Sequence, residues 1–318
     1  SEEGQSACAC GKQFEAGIPA YDGTITYYET IDEAFANVKA NETVKLMIDS
    51  VDRDRQDYIY VGGGPYTFDL NGHRVGHRMG DDFHQAFLQV GDPDGSPGTL
   101  TVLDSSAAQN GYFYELKLYN GSLTVESGSF YQYWESAPTA TGTMTFKGGT
   151  VDEFHATSAN VKTKLYGGTF GNVYNNIGGK PGDLLADNKA FFDKKSGNLI
   201  NGYDYEAVND VVVTDHTHNI VDGSCECGFT CPHNDFKDGK CTICGNGCAH
   251  TNVGDDGVCR NCNTQMVAKV EVGDTGTYSA DFKEAMNAAV NAAVNGTTVT
   301  LLVDIKWGVT PQDRAAIT

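Results

Sequence analysis

The carboxyl-terminal third of this 318-residue chain holds two segments in which cysteine and histidine recur at fixed spacing. Each segment supplies a Cys-x-His pair and, after a glycine turn, a Cys-x-x-Cys pair, and equivalent residues lie 17 or 18 positions apart. Three thiolates and one imidazole form the ligand set of a closed tetrahedral zinc site, with no position left for water or substrate. The pattern therefore predicts two structural zinc sites. Their ligands are Cys231, His233, Cys241 and Cys244 in the first segment and Cys248, His250, Cys259 and Cys262 in the second.

A looser third copy precedes these segments and carries two histidines and two cysteines, namely His216, His218, Cys225 and Cys227. Cys8 and Cys10 repeat its second half near the amino end, so we interpret them as a remnant of an upstream module. They are free, disulfide-bonded or bound to an adventitious metal. The whole chain is expected to bind two to three structural zinc ions, because each ion replaces a core that about 17 residues cannot assemble.

Disulfide bonds are the alternative for these cysteines, since an exported chain with an even number of cysteines ordinarily forms them. Oxidation does not explain why a histidine follows two residues after Cys231 and again after Cys248. Tetrahedral metal coordination does explain it. Zinc is therefore favoured for the two regular segments. For the copy at His216, zinc coordination and disulfide bonding both stay open.

Short repeats upstream indicate the elements that must position these sites. Three segments align without gaps, and each predicts a strand, a glycine bend and a second strand. They are residues 123–130, 144–151 and 163–170. Looser versions occur at 67–73 and 98–104. A period of about 20 residues is too short to fold alone, so each turn must stack on its neighbours.

Stacked strands with glycine corners predict an all-β fold, a right-handed parallel β-helix (a solenoid), whose inward side chains form the core. A leucine-rich horseshoe has a similar period, but the chain lacks its leucine-asparagine consensus. A β-sandwich stays open as the alternative, because short alternating strands with glycine turns occur there too.

A helix and strand precede these repeats. Thr30 and Glu33 form a capping box for an amphipathic helix, and a strand follows at 44–48. The same unit returns at 281–286 and 298–304. We therefore predict an N-terminal capping helix for the β-helix and the start of a second β-helix, at which the fragment stops.

These features divide the chain into four parts. We assign 1–19 to the remnant of an upstream cysteine module and a linker, and 20–207 to the β-helix. Residues 214–264 form the tandem zinc modules, and 267–318 form the truncated start of the second β-helix.

Candidate binding residues come from the same alignment, which places Trp134, His155 and Tyr174 at equivalent positions of successive turns. An exposed aromatic stripe could stack on sugar rings or anchor a protein partner. The alternative is an aromatic stripe packed under a loop.

A carbohydrate-active enzyme is the competing class, since paired carboxylates hydrolyse glycosidic bonds. Glu135, Asp152 and Glu153 near His155 could supply such a pair on neighbouring turns. Among 42 acidic residues some neighbours arise by chance. We therefore expect no enzyme activity and assign no catalytic residue. The acidic runs at 49–57 and 92–95 could hold calcium but lack the pattern of a dedicated loop.

The charge balance excludes several partners. Lys and Arg total 22 against 42 Asp and Glu, a net charge of −20, which repels nucleic acid and anionic lipid. No apolar run reaches the length of about 18 residues that spans a membrane. The amino end lacks a signal peptide, so we expect any export signal or anchor to lie outside this fragment.

The chain resembles large modular surface proteins of Gram-positive gut bacteria. The resemblance lies in the capping helix before a Thr-Val-x-Leu strand, residues 68–73 and 98–102, the glycine-pair turns, and residues 190–193 with Gly197. In those proteins right-handed β-helix domains alternate with short Cys/His modules. The resemblance implies an extracellular adhesin that binds a host glycan, a mucin or a secreted host protein such as an immunoglobulin. The zinc modules would be semi-rigid connectors, and a structural stalk is the third alternative.

Overall fold

The computed structural model of this chain describes most residues between 13 and 303. The described ranges are 13–50, 57–79, 82–84, 86–91, 95–135, 139–219, 224–230, 236–237, 240–241, 250, 252–260, 264–272, 275–292 and 297–303. They belong to two compact units. Unit 1 comprises Ser1–His218 with Cys225–Phe229, and unit 2 comprises Asn219–Ser224 with Thr230–Thr318.

Unit 1 is a parallel β-helix of about five turns. Its strands are β1 Ala16–Pro19, β2 Ile25–Tyr28, β3 Thr43–Leu46, β4 Asp57–Val61, β5 Gly63–Asp69, β6 Arg74–Val75, β7 His77–Met79, β8 Asp82–His84, β9 Ala86–Val90, β10 Gly98–Leu103, β11 Tyr112–Leu118, β12 Asn120–Val125, β13 Ser129–Glu135, β14 Thr141–Phe146, β15 Thr150–Ala156, β16 Val161–Leu165, β17 Gly168–Asn175, β18 Lys189–Asp193, β19 Leu199–Ile200 and β20 Ala207–Asp215. Two long sheets contain nearly all of them. The first has the order β16-β14-β12-β10-β5-β3-β1-β2, and the second has the order β19-β18-β20-β17-β15-β13-β11-β9-β4.

The register of the strands confirms the predicted repeat. Leu123 of β12 pairs in parallel with Met144 of β14, which pairs in parallel with Thr163 of β16. These are the equivalences of the gapless sequence alignment. The sandwich alternative is wrong, because its sheets are built from antiparallel strands. The right-handed sense of the coil stays a prediction.

Inward-facing side chains of successive turns stack on one another in register and fill the interior of the β-helix. Tyr133, Phe154 and Val173 follow one another in register and are fully buried. The ring of Phe154 lies 4.6 Å from that of Tyr133 and 5.7 Å from that of Phe170. Burying each such side chain contributes about 1.5–3 kcal/mol to the free energy of unfolding, so stacking of turns supplies the core that a single turn lacks.

Antiparallel strands flank the parallel turns at both ends of unit 1. At the amino end β1 pairs with β2 and β3, and helix α1, Ile31–Asn37, connects β2 to β3. The Thr30 hydroxyl accepts a hydrogen bond from the Glu33 amide, which confirms the predicted N-cap. Phe35 of this helix packs 5.5 Å from Phe68 of β5. Whether α1 acts as the cap of the β-helix stays a prediction.

At the other end, strand β20 pairs antiparallel with both β17 and β18, and β18 pairs antiparallel with β19. A 3-10 helix, Pro181–Leu184, connects β17 to β18. These strands carry the chain from the last parallel turn to His216, where the metal-ligating pattern begins.

Unit 2 repeats the arrangement found at the start of unit 1. Its elements are β21 Phe236–Lys237, β22 Lys240–Cys241, β23 Ala268–Val272, β24 Thr275–Ser279, α2 Phe282–Ala292 and β25 Thr298–Leu301. Ala268 of β23 pairs with Ser279 and with Leu301, as Ala16 of β1 pairs with Tyr28 and with Leu46. The repeated helix and strand are therefore present as predicted, and a second β-helix stays a prediction.

No helix in the described ranges has the length and hydrophobicity that crossing a bilayer requires.

Candidate functional site

Two segments of unit 1 bring together four metal-ligating side chains, which we call the Cys/His group: His216, His218, Cys225 and Cys227. His216 follows β20 directly, and its amide donates to the carbonyl oxygen of Asn188 at 2.9 Å. The cysteines belong to a tight turn. In it the Cys225 amide donates to the Phe229 carbonyl and the Gly228 amide donates to the Cys225 carbonyl, each at 2.8 Å.

The ligand atoms of the Cys/His group lie at distances that suit a single ion. His216 Nε2 is 3.1 Å from Cys225 Sγ, His218 Nδ1 is 3.4 Å from Cys227 Sγ, and all four atoms lie within 4.8 Å of one another. Tetrahedral zinc binds nitrogen and sulfur at about 2.0–2.3 Å, which separates neighbouring ligands by about 3.3–3.8 Å. Both thiols are free of disulfide bonds and buried. The group could therefore hold a metal ion.

Burial shifts the pKa of two side chains of the Cys/His group. It raises the pKa of the Cys227 thiol to about 11 and lowers the pKa of His218. Metals bind the thiolate and the neutral imidazole, so an incoming cation would meet a ready imidazole and would release a thiol proton.

Aromatic rings and a glycine hold the Cys/His group in place. The ring of His218 stacks on Phe229 at 4.4 Å, and that of His216 lies 6.1 Å from Phe192. Gly228 has a φ of 86°, and a Cβ there would collide with the Asn201 side chain. The glycine after Cys-x-Cys is thus required by the fold, whereas no sequence pattern points to Phe229 or Asn201.

The two regular zinc segments lie largely outside the described residues. This applies to Cys231, His233, Cys244, Cys248 and Cys262, to the side chain of Cys241, and to Cys8 and Cys10. His250 is half-buried and Cys259 is buried. The zinc sites of both segments stay predictions.

The three predicted binding residues form what we call the aromatic column, on the outer face of the second sheet. Trp134 pairs in register with His155, which pairs with Tyr174. Their ring centroids are 4.5 Å and 4.6 Å apart, with interplanar angles of 37° and 11°. All three side chains are half-buried: His155 lies between the other two rings, and Trp134 and Tyr174 each stack on it with one face.

A second outward-facing set, the polar column, runs beside the aromatic column and consists of Gln132, Glu153 and Asn172. Glu153 is its centre. Gln132 Nε2 donates to Glu153 Oε2 at 3.2 Å, and His155 Nε2 lies 3.5 Å from the same oxygen. Burial lowers the pKa of His155, which keeps its ring neutral near pH 7. Sequence reasoning missed this column as a set, although its members align at the spacing of the aromatic column.

A basic and aromatic cluster precedes the aromatic column. Lys117 pairs in register with Trp134. Its Nζ lies 3.9 Å from the ring centroid of Phe87, 3.2 Å from the Tyr58 hydroxyl and 3.3 Å from Glu115 Oε1. The surrounding burial raises the pKa of Glu115. The ammonium group thus compensates a buried carboxylate and is largely screened from solvent.

Glu135 does not join the carboxylate set suggested by the sequence. Alternation along β13 turns it into the interior, where it is fully buried, while Glu153 lies on the outer face. Its carboxylate accepts from the Thr157 amide at 2.6 Å and from the Thr163 hydroxyl at 2.8 Å. Glu135 and Glu153 therefore cannot flank one sugar bond.

The acidic residues weighed for calcium have other partners or lie outside the described ranges. Asp49 Oδ1 accepts from the Arg74 amide at 3.0 Å and lies 3.1 Å from His73 Nδ1. Asp52, Asp92 and Asp94 are not described. In the part of the chain that the structure describes, the Cys/His group alone gathers three or more side chains able to hold a metal.

Comparison with protein-family models, curated proteins and solved structures finds no significant match to this chain.

Proposed function

We propose that this chain is an extracellular binding protein whose β-helix presents the aromatic column and the polar column to a glycan. The observation that carries the proposal is the continuous stack of Trp134, His155 and Tyr174 beside the hydrogen-bonding side chains of Glu153 and Asn172. Aromatic rings next to polar groups suit a sugar, which offers C–H faces and hydroxyls together.

The negative charge of the chain favours a neutral glycan as the ligand. The chain carries a net charge of −20, and the polar column itself contains the carboxylate of Glu153. Sialylated or sulfated mucin chains would be repelled by this field. Neutral hexoses would not, and a basic host protein such as an immunoglobulin domain is the second class of partner.

The binding proposal is tested by retention of the intact chain on neutral glycan arrays and on immunoglobulin columns. We expect Trp134→Ala combined with Tyr174→Ala to abolish retention. The matched control is Tyr166→Ala combined with Tyr205→Ala, because these tyrosines are 46% and 56% exposed and lie outside the column. Retention that survives the first pair, or is lost equally in both, would contradict the proposal.

The alternative functions, an enzyme and a structural stalk, give different results in binding and sugar-release assays. Release of reducing sugar from pectin or mucin would support a carbohydrate-active enzyme, with Asp152 and Glu153 as the remaining carboxylates. Burial raises the pKa of Asp152, and neighbouring Glu153 adds to the effect. Absence of both retention and sugar release would leave a structural stalk.

We further propose that the Cys/His group binds zinc, and that zinc also organises the two following segments of a modular protein from a Gram-positive gut bacterium. In this proposal α1 caps the β-helix, the zinc segments are semi-rigid connectors, and unit 2 begins a second β-helix. The equal strand registers around Ala16 and Ala268 support the last point.

Elemental analysis of the purified chain should find about two to three zinc ions per molecule. Cys225→Ser combined with Cys227→Ser should lower that count by about one, and an anomalous map at the zinc edge should place the lost ion between His216 and His218. Metal content near zero with all thiols blocked would overturn the zinc assignment.

A further inference from the structure

Among the described residues the stack of rings in the aromatic column ends at Tyr174. His155 lies between Trp134 and Tyr174, so both faces of its imidazole are covered. Tyr174 has one face against His155. Among the described residues no aromatic ring stacks on the opposite face of Tyr174.

The next strand explains why no ring stacks on that face. Strand β20 pairs antiparallel with β17 and places Ala207 opposite Tyr174 and Asn209 opposite Asn172. Val208 between them is buried, so Ala207 and Asn209 project from the outer face. A methyl group covers far less of a phenol ring than an aromatic side chain does. The stack of rings therefore ends at Tyr174, and the next strand offers only the methyl group of Ala207.

The ring spacing indicates where one further ring would stack. Rings in the column repeat at 4.5–4.6 Å, close to the spacing of about 4.8 Å between neighbouring strands. A flat group stacked on Tyr174 would thus lie over Ala207. The amides of Asn172 and Asn209 would stand at its edge as donors and acceptors.

We propose that one neutral hexopyranose unit stacks on Tyr174 above Ala207 and forms hydrogen bonds with Asn172 and Asn209. The inference rests on the proposed glycan-binding function and assigns its stacking position. A pyranose fits because its C–H face packs on an aromatic ring while its equatorial hydroxyls point sideways toward amide groups. The carboxylate of Glu153 pairs in register with Asn172 and therefore lies beside the proposed position, where it disfavours a uronic or sialic acid.

The test is calorimetric titration of the full chain with neutral tetrasaccharides of N-acetylglucosamine, mannose and galactose. Ala207→Phe fills the stacking position with a ring of the protein itself, and Ala207→Ser leaves it open. We expect Tyr174→Ala and Ala207→Phe each to weaken binding at least about tenfold, while Ala207→Ser and Tyr166→Ala keep the original Kd. Far-ultraviolet circular dichroism of each variant checks that the β-helix is intact.

The outcomes separate the subsite from the general function. Unchanged affinity in a folded Ala207→Phe variant would overturn the subsite, even if Trp134→Ala combined with Tyr174→Ala still abolishes retention on glycan arrays. Retention on immunoglobulin alone, with no heat from any tetrasaccharide, would also overturn the subsite and leave the binding function standing. Failure of every probe, arrays included, would overturn both.

Discussion

Buried carboxylates in this β-helix connect one turn to the next through backbone amides. Asp104 is 2% exposed, and its oxygens accept from the amides of Gly72, Ser106 and Gly111. Glu135 is buried in the interior and bridges to residues 157 and 158 of the following turn. The pKa values of the two acids shift in opposite directions. Hydrogen bonds together outweigh burial at Asp104 and lower its pKa, whereas burial outweighs them at Glu135 and raises its pKa.

Asp104→Asn should lower the free energy of unfolding by about 2 kcal/mol at pH 7, because an amide nitrogen replaces one acceptor oxygen. Burial alone would raise the pKa of Asp104, but the hydrogen bonds from Gly111, Ser106 and Gly72 outweigh it and lower the pKa. Its stabilising contribution is thus present above the unfolded pKa near 3.9 and is lost as pH falls through the folded value. Urea unfolding from pH 2 to 7 measures this, and a difference between the proteins that does not shrink in acid would contradict it.

Glu135→Ala should destabilise the protein by about 3 kcal/mol or more, since the amides of Thr157 and Ser158 lose their acceptor. Glu135→Gln keeps an acceptor oxygen and should cost less than about 1 kcal/mol. Burial raises the pKa of Glu135, so its contribution is greatest below the unfolded pKa and declines as pH rises through the folded one. Wild-type stability relative to Glu135→Gln should therefore fall with rising pH, and a rise would refute the assignment.

Stacked strands approach so closely at one corner that glycine is required there. Gly98, Gly121 and Gly142 pair in register at the start of β10, β12 and β14. A Cβ on Gly142 would collide with the carbonyl oxygen of Gly121, and one on Gly121 would collide with that of Gly98. The corner glycines thus permit the close approach of successive turns that backbone hydrogen bonding requires.

Gly142→Ala should lower the free energy of unfolding by about 3 kcal/mol or more, because it adds a backbone clash to an unfavourable φ of 126°. Gly197→Ala is the matched control. Gly197 also has a positive φ, 71°, but a Cβ there would meet nothing within 4 Å, so we expect a cost of only about 1 kcal/mol. Thermal unfolding of both variants measures the difference, and equal losses would show that the clash is relieved by movement of the turns.

At the scale of the whole molecule, the described residues of the two units form core clusters of very different size. In unit 1 one continuous cluster of buried side chains runs from Ala16 to Val213. In the described part of unit 2 the corresponding cluster contains Ala268, Val270 and Ala285 as its buried members. Because burial of apolar surface is the main stabilising contribution, unit 1 should be far more resistant to local opening.

Native-state hydrogen exchange followed by mass spectrometry should show this difference. Amides of β13 and β15 should exchange at least about 100-fold more slowly than those of β23 and β24, which corresponds to about 2.7 kcal/mol in opening free energy. Peptides from α1 are an internal reference for the amino end of unit 1. Equal protection in β13 and β23 would mean that the two units unfold as one.

The sequence alone predicted the parallel coil, because Leu123, Met144 and Thr163 recur without gaps and a period of about 20 residues cannot bury a core unless turns stack. It also predicted the Cys/His group, because ligand chemistry fixes residue types at short range. Only the tertiary structure decided that Glu135 faces inward while Glu153 faces outward, since two consecutive half-buried residues between Phe130 and Tyr133 interrupt the alternating burial of β13. It alone placed Ala207 beside Tyr174, because antiparallel pairing of β20 joins residues that no repeat relates.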